Sequence, residues 1–167
     1  MHAGTAGRGE GEVEEELTRG TAGPSTPTVV LDTNLFVAAF WNRQSASADI
    51  LSACRDGRVR LYYTQQILRE ISLILRNIKA TERYRQRVKE ILDQGTQLQA
   101  PGRLSVVADD PEDDKFLECA QLARADYLVT NDDHLLRLRQ FDGTKIVKPV
   151  ELRDVLRQPP CQGTDGL

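Results

Sequence analysis

Short apolar runs alternate with longer stretches of helical periodicity along most of the chain. The runs VVL at 29–31 and YLV at 127–129 are rich in apolar residues with strong β propensity and predict two buried strands. Further strands are predicted at 58–64, 104–107 and 145–148. Because strands alternate with helices, we expect an α/β fold with a parallel sheet of about four to five strands flanked by helices.

The most regular helical pattern lies at 65–77, where isoleucines and leucines repeat at helical spacing and Thr64 is placed to cap the first turn. The basic segment that follows predicts helix as far as about Leu98, before Pro101 and Gly102 end it. Other helices are predicted at 35–41, 47–55, 112–125, 133–140 and 150–156.

The length of 167 residues is that of one ordinary domain. Residues 1–27 are rich in Gly, Thr and Glu and lack apolar periodicity, so we expect a disordered tail there. The sequence therefore predicts a single domain at 28–157, followed by a flexible C-terminus at 158–167.

Charge is unevenly distributed along the chain. Two arginines and five glutamates give the tail a formal charge of −3, which equals the net charge of the whole chain. The remainder is formally neutral, and its overall charge does not indicate nucleic-acid binding. The segment from Arg76 to Glu90, however, is locally +4. It is either a solvated helix face or a surface that follows a phosphate backbone.

Cys54, Cys119 and Cys161 are odd in number and widely spaced, which argues against a disulfide framework or a structural zinc site. No apolar run reaches the length of a membrane span, and the acidic tail lacks the basic and apolar regions of a secretory signal. We therefore expect a cytoplasmic protein with no membrane contact.

Two acids stand where the strongest strands end, Asp32 after VVL and Asp132 shortly after YLV. Because the carboxyl ends of parallel strands meet at one edge of a sheet, we expect both carboxylates to share a pocket there. Each Asp also precedes a predicted helix, so N-capping explains either one by itself.

Two further acids are candidates for the same pocket. Glu70 lies at the margin of the buried face of helix 65–77, although a solvated or ion-paired glutamate would look the same. In ADDPEDDKF five acids fall within six residues, and the helix dipole alone could favour them. On a helical wheel Asp113 shares the arc of Leu117, whereas Asp114 points toward the side. We therefore expect Asp113 to be the acid directed inward.

Carboxylates that converge in this way repel one another, by around 4 kcal/mol for a pair about 4 Å apart at an effective dielectric near 20. Protonation of one acid would relieve the repulsion, and so would a hard divalent cation with oxygen ligands. The predicted set contains no His or Cys, so Mg²⁺ (or Mn²⁺) is the expected cofactor.

These motifs together resemble the PIN-domain family, and most of all its bacterial members of toxin–antitoxin type. The stretches that carry the resemblance are VVLDTNLFVAAF, QILREISLILR, DPEDDKFLECAQLARADYLVTNDDHLL and KPVEL. They cover nearly everything from Val29 to Leu152. The resemblance implies a single PIN-like domain.

The resemblance also implies roles for the acids. The catalytic, metal-binding acids of the family fall on Asp32, Glu70, Asp113 and Asp132. By the same carry-over, Asn34 would orient Asp32, and Thr130 would face a metal-bound water or the phosphate.

The chain departs from the family pattern at one position. Many relatives have a further Asp two residues beyond Asp132, where this chain has His134. A second metal position is therefore in doubt, although Asp133 or Asp110 could contribute to one.

The implied activity is that of a metal-dependent endoribonuclease whose products carry a 5′-phosphate and a 3′-hydroxyl. By resemblance, we expect it to be the toxin of a toxin–antitoxin pair, with an RNA substrate, an antitoxin protein as partner and a homodimeric state. The alternative is a catalytically weak PIN module that binds RNA or protein.

Other classes of enzyme fit the sequence less well. A histidine-driven ribonuclease needs an acid and a base, and His134 is the sole histidine outside the tail. A phosphatase with a nucleophilic Asp32 needs an acid at position 34, which is Asn. A phosphate-binding Gly-rich loop is also absent from the sequence.

Overall fold

A computed structural model describes residues 25–100 and 113–159. In this part of the chain six strands form one sheet in the order β3-β2-β1-β4-β6-β5. All neighbouring pairs are parallel except β5 with β6, so the predicted α/β class is confirmed. The strands are β1 (Thr28–Leu31), β2 (Arg60–Thr64), β3 (Thr96–Leu98), β4 (Tyr127–Val129), β5 (Gln140–Phe141) and β6 (Thr144–Val147).

Seven helices lie in the same described ranges. They are α1 (Asn34–Trp41), α2 (Ala46–Arg55), α3 (Gln65–Asn77), α4 (Glu82–Gln94), α5 (Asp114–Ala123), α6 (Asp133–Leu136) and α7 (Pro149–Arg157). None of them is long and apolar enough to cross a bilayer.

The helix predicted at 65–77 is confirmed, and the Thr64 hydroxyl accepts a hydrogen bond from the Ile67 amide at 3.3 Å. The predicted continuation of helix to about Leu98 is wrong. The chain turns after α3 through Lys79, whose φ of 53° lies in the left-handed region. Thr81 then caps α4 by accepting from the Tyr84 amide, and the chain returns to the sheet as β3.

Two other predictions differ from the structure or fall outside it. The helix predicted at 133–140 ends at Leu136, and a hairpin with Asp142 and Gly143 at positive φ joins β5 to β6. The strand predicted at 104–107 lies outside the described residues. So do nearly all of the predicted tail and the C-terminal segment, and those predictions stay untested.

The centre of the sheet fixes the position of the strand ends. β1 and β4 pair in register from Val29 opposite Tyr127 to Leu31 opposite Val129. Their apolar side chains are almost fully buried, which gives the sheet its core. The Asp32 amide donates to the Val129 carbonyl at 2.9 Å. The residues after both strands therefore leave the sheet at the same edge.

Candidate active site

Asp32 is the acid at the centre of this edge and is only 4% exposed. One carboxylate oxygen accepts a hydrogen bond from the Thr130 hydroxyl at 2.6 Å, and the other accepts from the Asn34 amide at 3.1 Å. The Thr130 hydroxyl also accepts from the Asp132 amide at 2.9 Å. Thr130 therefore ties the ends of β1 and β4 together.

The pKa of Asp32 is raised above its ordinary value, chiefly because burial penalises the charged form. The hydrogen bonds from Thr130 and Asn34 oppose this rise. The negative charges of Asp132 and Glu70 add to it, so both acids lie close enough to repel Asp32.

Asp132 has two functions in the structure. Its carboxylate accepts a hydrogen bond from the His134 amide at 2.8 Å and so caps the short helix α6. It also lies at the pocket, since its charge acts on Asp32. The sequence left helix capping and a place in the pocket as alternative explanations for Asp132, and both apply.

Asp113 enters the pocket from the start of α5 and is 6% exposed. Asp113, Asp132 and His134 can each offer a ligand atom, and these atoms lie within 4.8 Å of one another. The expectation that Asp114 would point away is wrong, since Asp114 is also buried. The first turn of α5 is covered on more than one side, so a wheel with a single buried arc does not describe it.

Glu70 reaches the same region from α3. It accepts a hydrogen bond from the Thr33 hydroxyl at 3.0 Å, and the Lys115 ammonium lies 3.0 Å from the same oxygen. Lys115 is 7% exposed, although the sequence placed it in a row of charged residues typical of a solvated turn. Its position next to Asp113 and Asp114 was the one available signal, and it was missed.

The structure thus brings the predicted acids together. Glu70 and Asp132 both act electrostatically on Asp32, and Asp113 faces Asp132. Asn34 contacts Asp32 through its backbone amide, while its side chain is exposed. The catalytic and metal-binding roles of these residues stay predictions.

The donor set fits a divalent cation. Two carboxylates and one imidazole nitrogen at this spacing can bind one ion from several sides, and the two negative charges would balance it. Acids at the carboxyl edge of a parallel sheet also lie where ligands of such sheets bind. This combination favours chemistry on an anionic substrate that a cation helps to bind.

Similarity to known proteins extends over most of the chain. A family model described as "PIN domain" matches residues 28–134. The crystal structure of PAE2754 from Pyrobaculum aerophilum is 16% identical, with 81% of this chain and 93% of that one covered and a TM-score of 0.53. VapBC2 from Rickettsia felis, solved bound to a DNA fragment from their promoter, is 14% identical, with coverages of 72% and 98% and a TM-score of 0.49. A comparison with curated proteins gave no match.

The raised pKa of Asp32 predicts how stability depends on pH in metal-free buffer. A raised folded-state pKa means that the contribution of Asp32 to stability is lost as pH rises through that pKa. In Asp32→Asn the side-chain oxygen can accept from the Asn34 amide and the side-chain nitrogen can donate to the Thr130 hydroxyl, so the variant should be more stable than wild type at pH 7 because the buried charge is gone. The difference in the free energy of unfolding between Asp32→Asn and wild type, measured by urea denaturation, should narrow toward pH 4. Asp154→Asn on α7 is the control, and an Asp32→Asn variant less stable at pH 7 would contradict the account.

Buried Lys115 and half-buried Glu70 should be coupled more strongly than a surface pair. A double-mutant cycle with Lys115→Met and Glu70→Gln should give a coupling free energy of about 1 to 3 kcal/mol, because Lys115 is withdrawn from water. The matched control is Lys89 with Asp93, which are 3.2 Å apart and have both side chains exposed. That pair should give at most about 0.5 kcal/mol. Equal couplings would show that Lys115 is not held by Glu70.

Proposed function

Because the chain belongs to the PIN-domain family, whose model spans residues 28–134 and whose members are generally nucleases, we propose that it is a metal-dependent endoribonuclease. The expected cofactor is Mg²⁺ or Mn²⁺, and the expected reaction is hydrolysis of an RNA phosphodiester bond. The observation that carries the proposal is the convergence of Asp32, Asp113 and Asp132 at one edge of the sheet.

The cation, when bound, would lower the pKa of a coordinated water and offset negative charge on the phosphodiester. Asp113 and Asp132, with His134, would hold it, because their ligand atoms lie within 4.8 Å of one another. Asp32 lies beside them with its orientation fixed by the Thr130 hydroxyl. Burial raises the pKa of Asp32, which suits this carboxylate to accept a proton.

Lys115 has a different part in the proposed reaction. A pocket that held only carboxylates would repel an RNA phosphate. The buried Lys115 ammonium pairs with Glu70 and so reduces the net negative charge that the substrate meets. The Thr33 hydroxyl donates a hydrogen bond to Glu70 and so fixes the position of its carboxylate.

The basic surface of α4 supports an RNA substrate. Arg83, Arg85 and Arg87 are exposed on this helix, within the segment whose local charge is +4. Exposed arginines suit the sequence-independent attraction of a phosphate backbone. A solvated helix face remains the alternative, and it predicts no change in RNA affinity when these residues are altered.

We expect purified protein to cut single-stranded or structured RNA with Mg²⁺ or Mn²⁺, and to leave 5′-phosphate and 3′-hydroxyl ends. Asp32→Asn and Asp132→Asn should each lower the cleavage rate by roughly a thousandfold or more, because each removes a charge from the pocket. Each Asn keeps one acceptor oxygen, for the Asn34 amide in Asp32→Asn and for the His134 amide in Asp132→Asn, so both variants should remain folded. Gel assays with mapped product ends measure both effects.

The exposed acid Asp56, which pairs with Arg58 on the surface, provides the control. Asp56→Asn should cut RNA at the wild-type rate, and a chelator should stop all cleavage. A folded preparation that binds RNA but leaves it uncut with both metals would favour the alternative, a catalytically weak binding module.

We place the chain on the toxin side of a toxin–antitoxin pair, acting in the cytoplasm as a homodimer, by its family resemblance. One feature suits a protein partner, namely a cavity of about 370 Å³ between α1, α2 and α4. Phe40, Trp41 and Tyr84 line it together with Arg83 and Arg87, so an acidic segment with apolar side chains would fit.

Induced expression of the wild-type protein should arrest cell growth, whereas expression of Asp32→Asn should not. Unaffected growth would remove the toxin role.

A further inference from the structure

His134 lies in the pocket as the one nitrogen donor of the described cation-binding cluster. Its ligand atom is within 4.8 Å of those of Asp113 and Asp132. We propose that His134 is a direct ligand of the cation and makes the site prefer Mn²⁺ and later first-row transition ions over Mg²⁺. This rests on the metal requirement of the proposed function, but its test uses no RNA.

The backbone holds His134 in place for this role. The Asp132 carboxylate accepts from the His134 amide at 2.8 Å, which fixes the first turn of α6 and the direction in which the imidazole leaves it. The His134 side chain is 39% exposed and that of Asp132 is 24% exposed. Both therefore border the solvent, and a hydrated ion can reach them without rearrangement of the fold.

A simple ion pair between His134 and Asp132 is the competing explanation. The His134 Nδ1 is 3.5 Å from the Asp132 carboxylate oxygen. That distance exceeds the usual 2.7–3.2 Å of an N–H···O hydrogen bond, and the same oxygen already accepts the backbone amide. The imidazole is thus close to the carboxylate without being held by it, which leaves its nitrogens available to an ion.

The chemistry of the donor set gives the selectivity. Mg²⁺ favours oxygen ligands in near-ideal octahedral geometry, and imidazole contributes little to its binding. First-row transition ions gain more from an imidazole ligand than Mg²⁺ does, with Mn²⁺ at the weak end of the series and Co²⁺ above it. Asp113 and Asp132 supply two negative charges, and Glu70 is occupied by Lys115. The imidazole is therefore the donor that distinguishes one ion from another.

Pulsed electron paramagnetic resonance of bound Mn²⁺ tests the ligand directly, because a coordinated imidazole gives a ¹⁴N coupling that carboxylates do not. The untagged chain should show this coupling. It has two histidines, so His2→Gln is the matched control and should keep the coupling, whereas His134→Gln should lose it. His134→Asp, which preserves a donor, should bind Mn²⁺ without the coupling.

Competition titrations measure the selectivity. The ratio of Mn²⁺ to Mg²⁺ affinity should fall by at least about tenfold in His134→Asp, since a direct ligand has changed. Mn²⁺ bound to wild type without nitrogen coupling, or an unchanged ratio in His134→Asp, would overturn the role of His134 and leave the proposed nuclease intact. No binding of either ion to folded wild type would overturn both.

Discussion

The site depends on one constraint, which is that the sheet holds acids from distant parts of the chain at one edge. These acids repel one another. Parallel pairing of β1 with β4 brings Asp32 next to Asp132, although they are 100 residues apart in sequence. Burial is the main cause of the raised pKa of Asp32, and the negative charges of Asp132 and Glu70 add to it. A fold that keeps such a cluster gives up stability for a site that attracts cations.

Several side chains offset part of this repulsion. Thr130 donates to Asp32 and accepts from the Asp132 amide, so it fixes the spacing of the two strand ends. Lys115 supplies a buried positive charge to Glu70. Asp113, Asp132 and His134 lie close enough together to offer ligand atoms to one ion. The pocket is therefore partly compensated from within, and a divalent cation would supply the rest.

Much of this arrangement could be predicted from local patterns. The apolar runs before Asp32 and Asp132 define the central strands, and helical spacing gave the bounds of α3. The rest depends on contacts that local patterns do not contain. β3 is short and mostly exposed, so it has no apolar pattern that would predict a strand. The turn at Lys79 contains neither Gly nor Pro, so nothing in the sequence indicates it. Lys115 looks like a solvated lysine until α5 is packed against α3.

Anomalous diffraction from crystals soaked in Mn²⁺ locates the cation without reference to activity. We expect one strong peak in contact with the carboxylates of Asp113 and Asp132, at the edge where Asp32 lies. A pocket without a peak in crystals that bind Mn²⁺ elsewhere, or carboxylates that point to separate surfaces, would contradict this expectation.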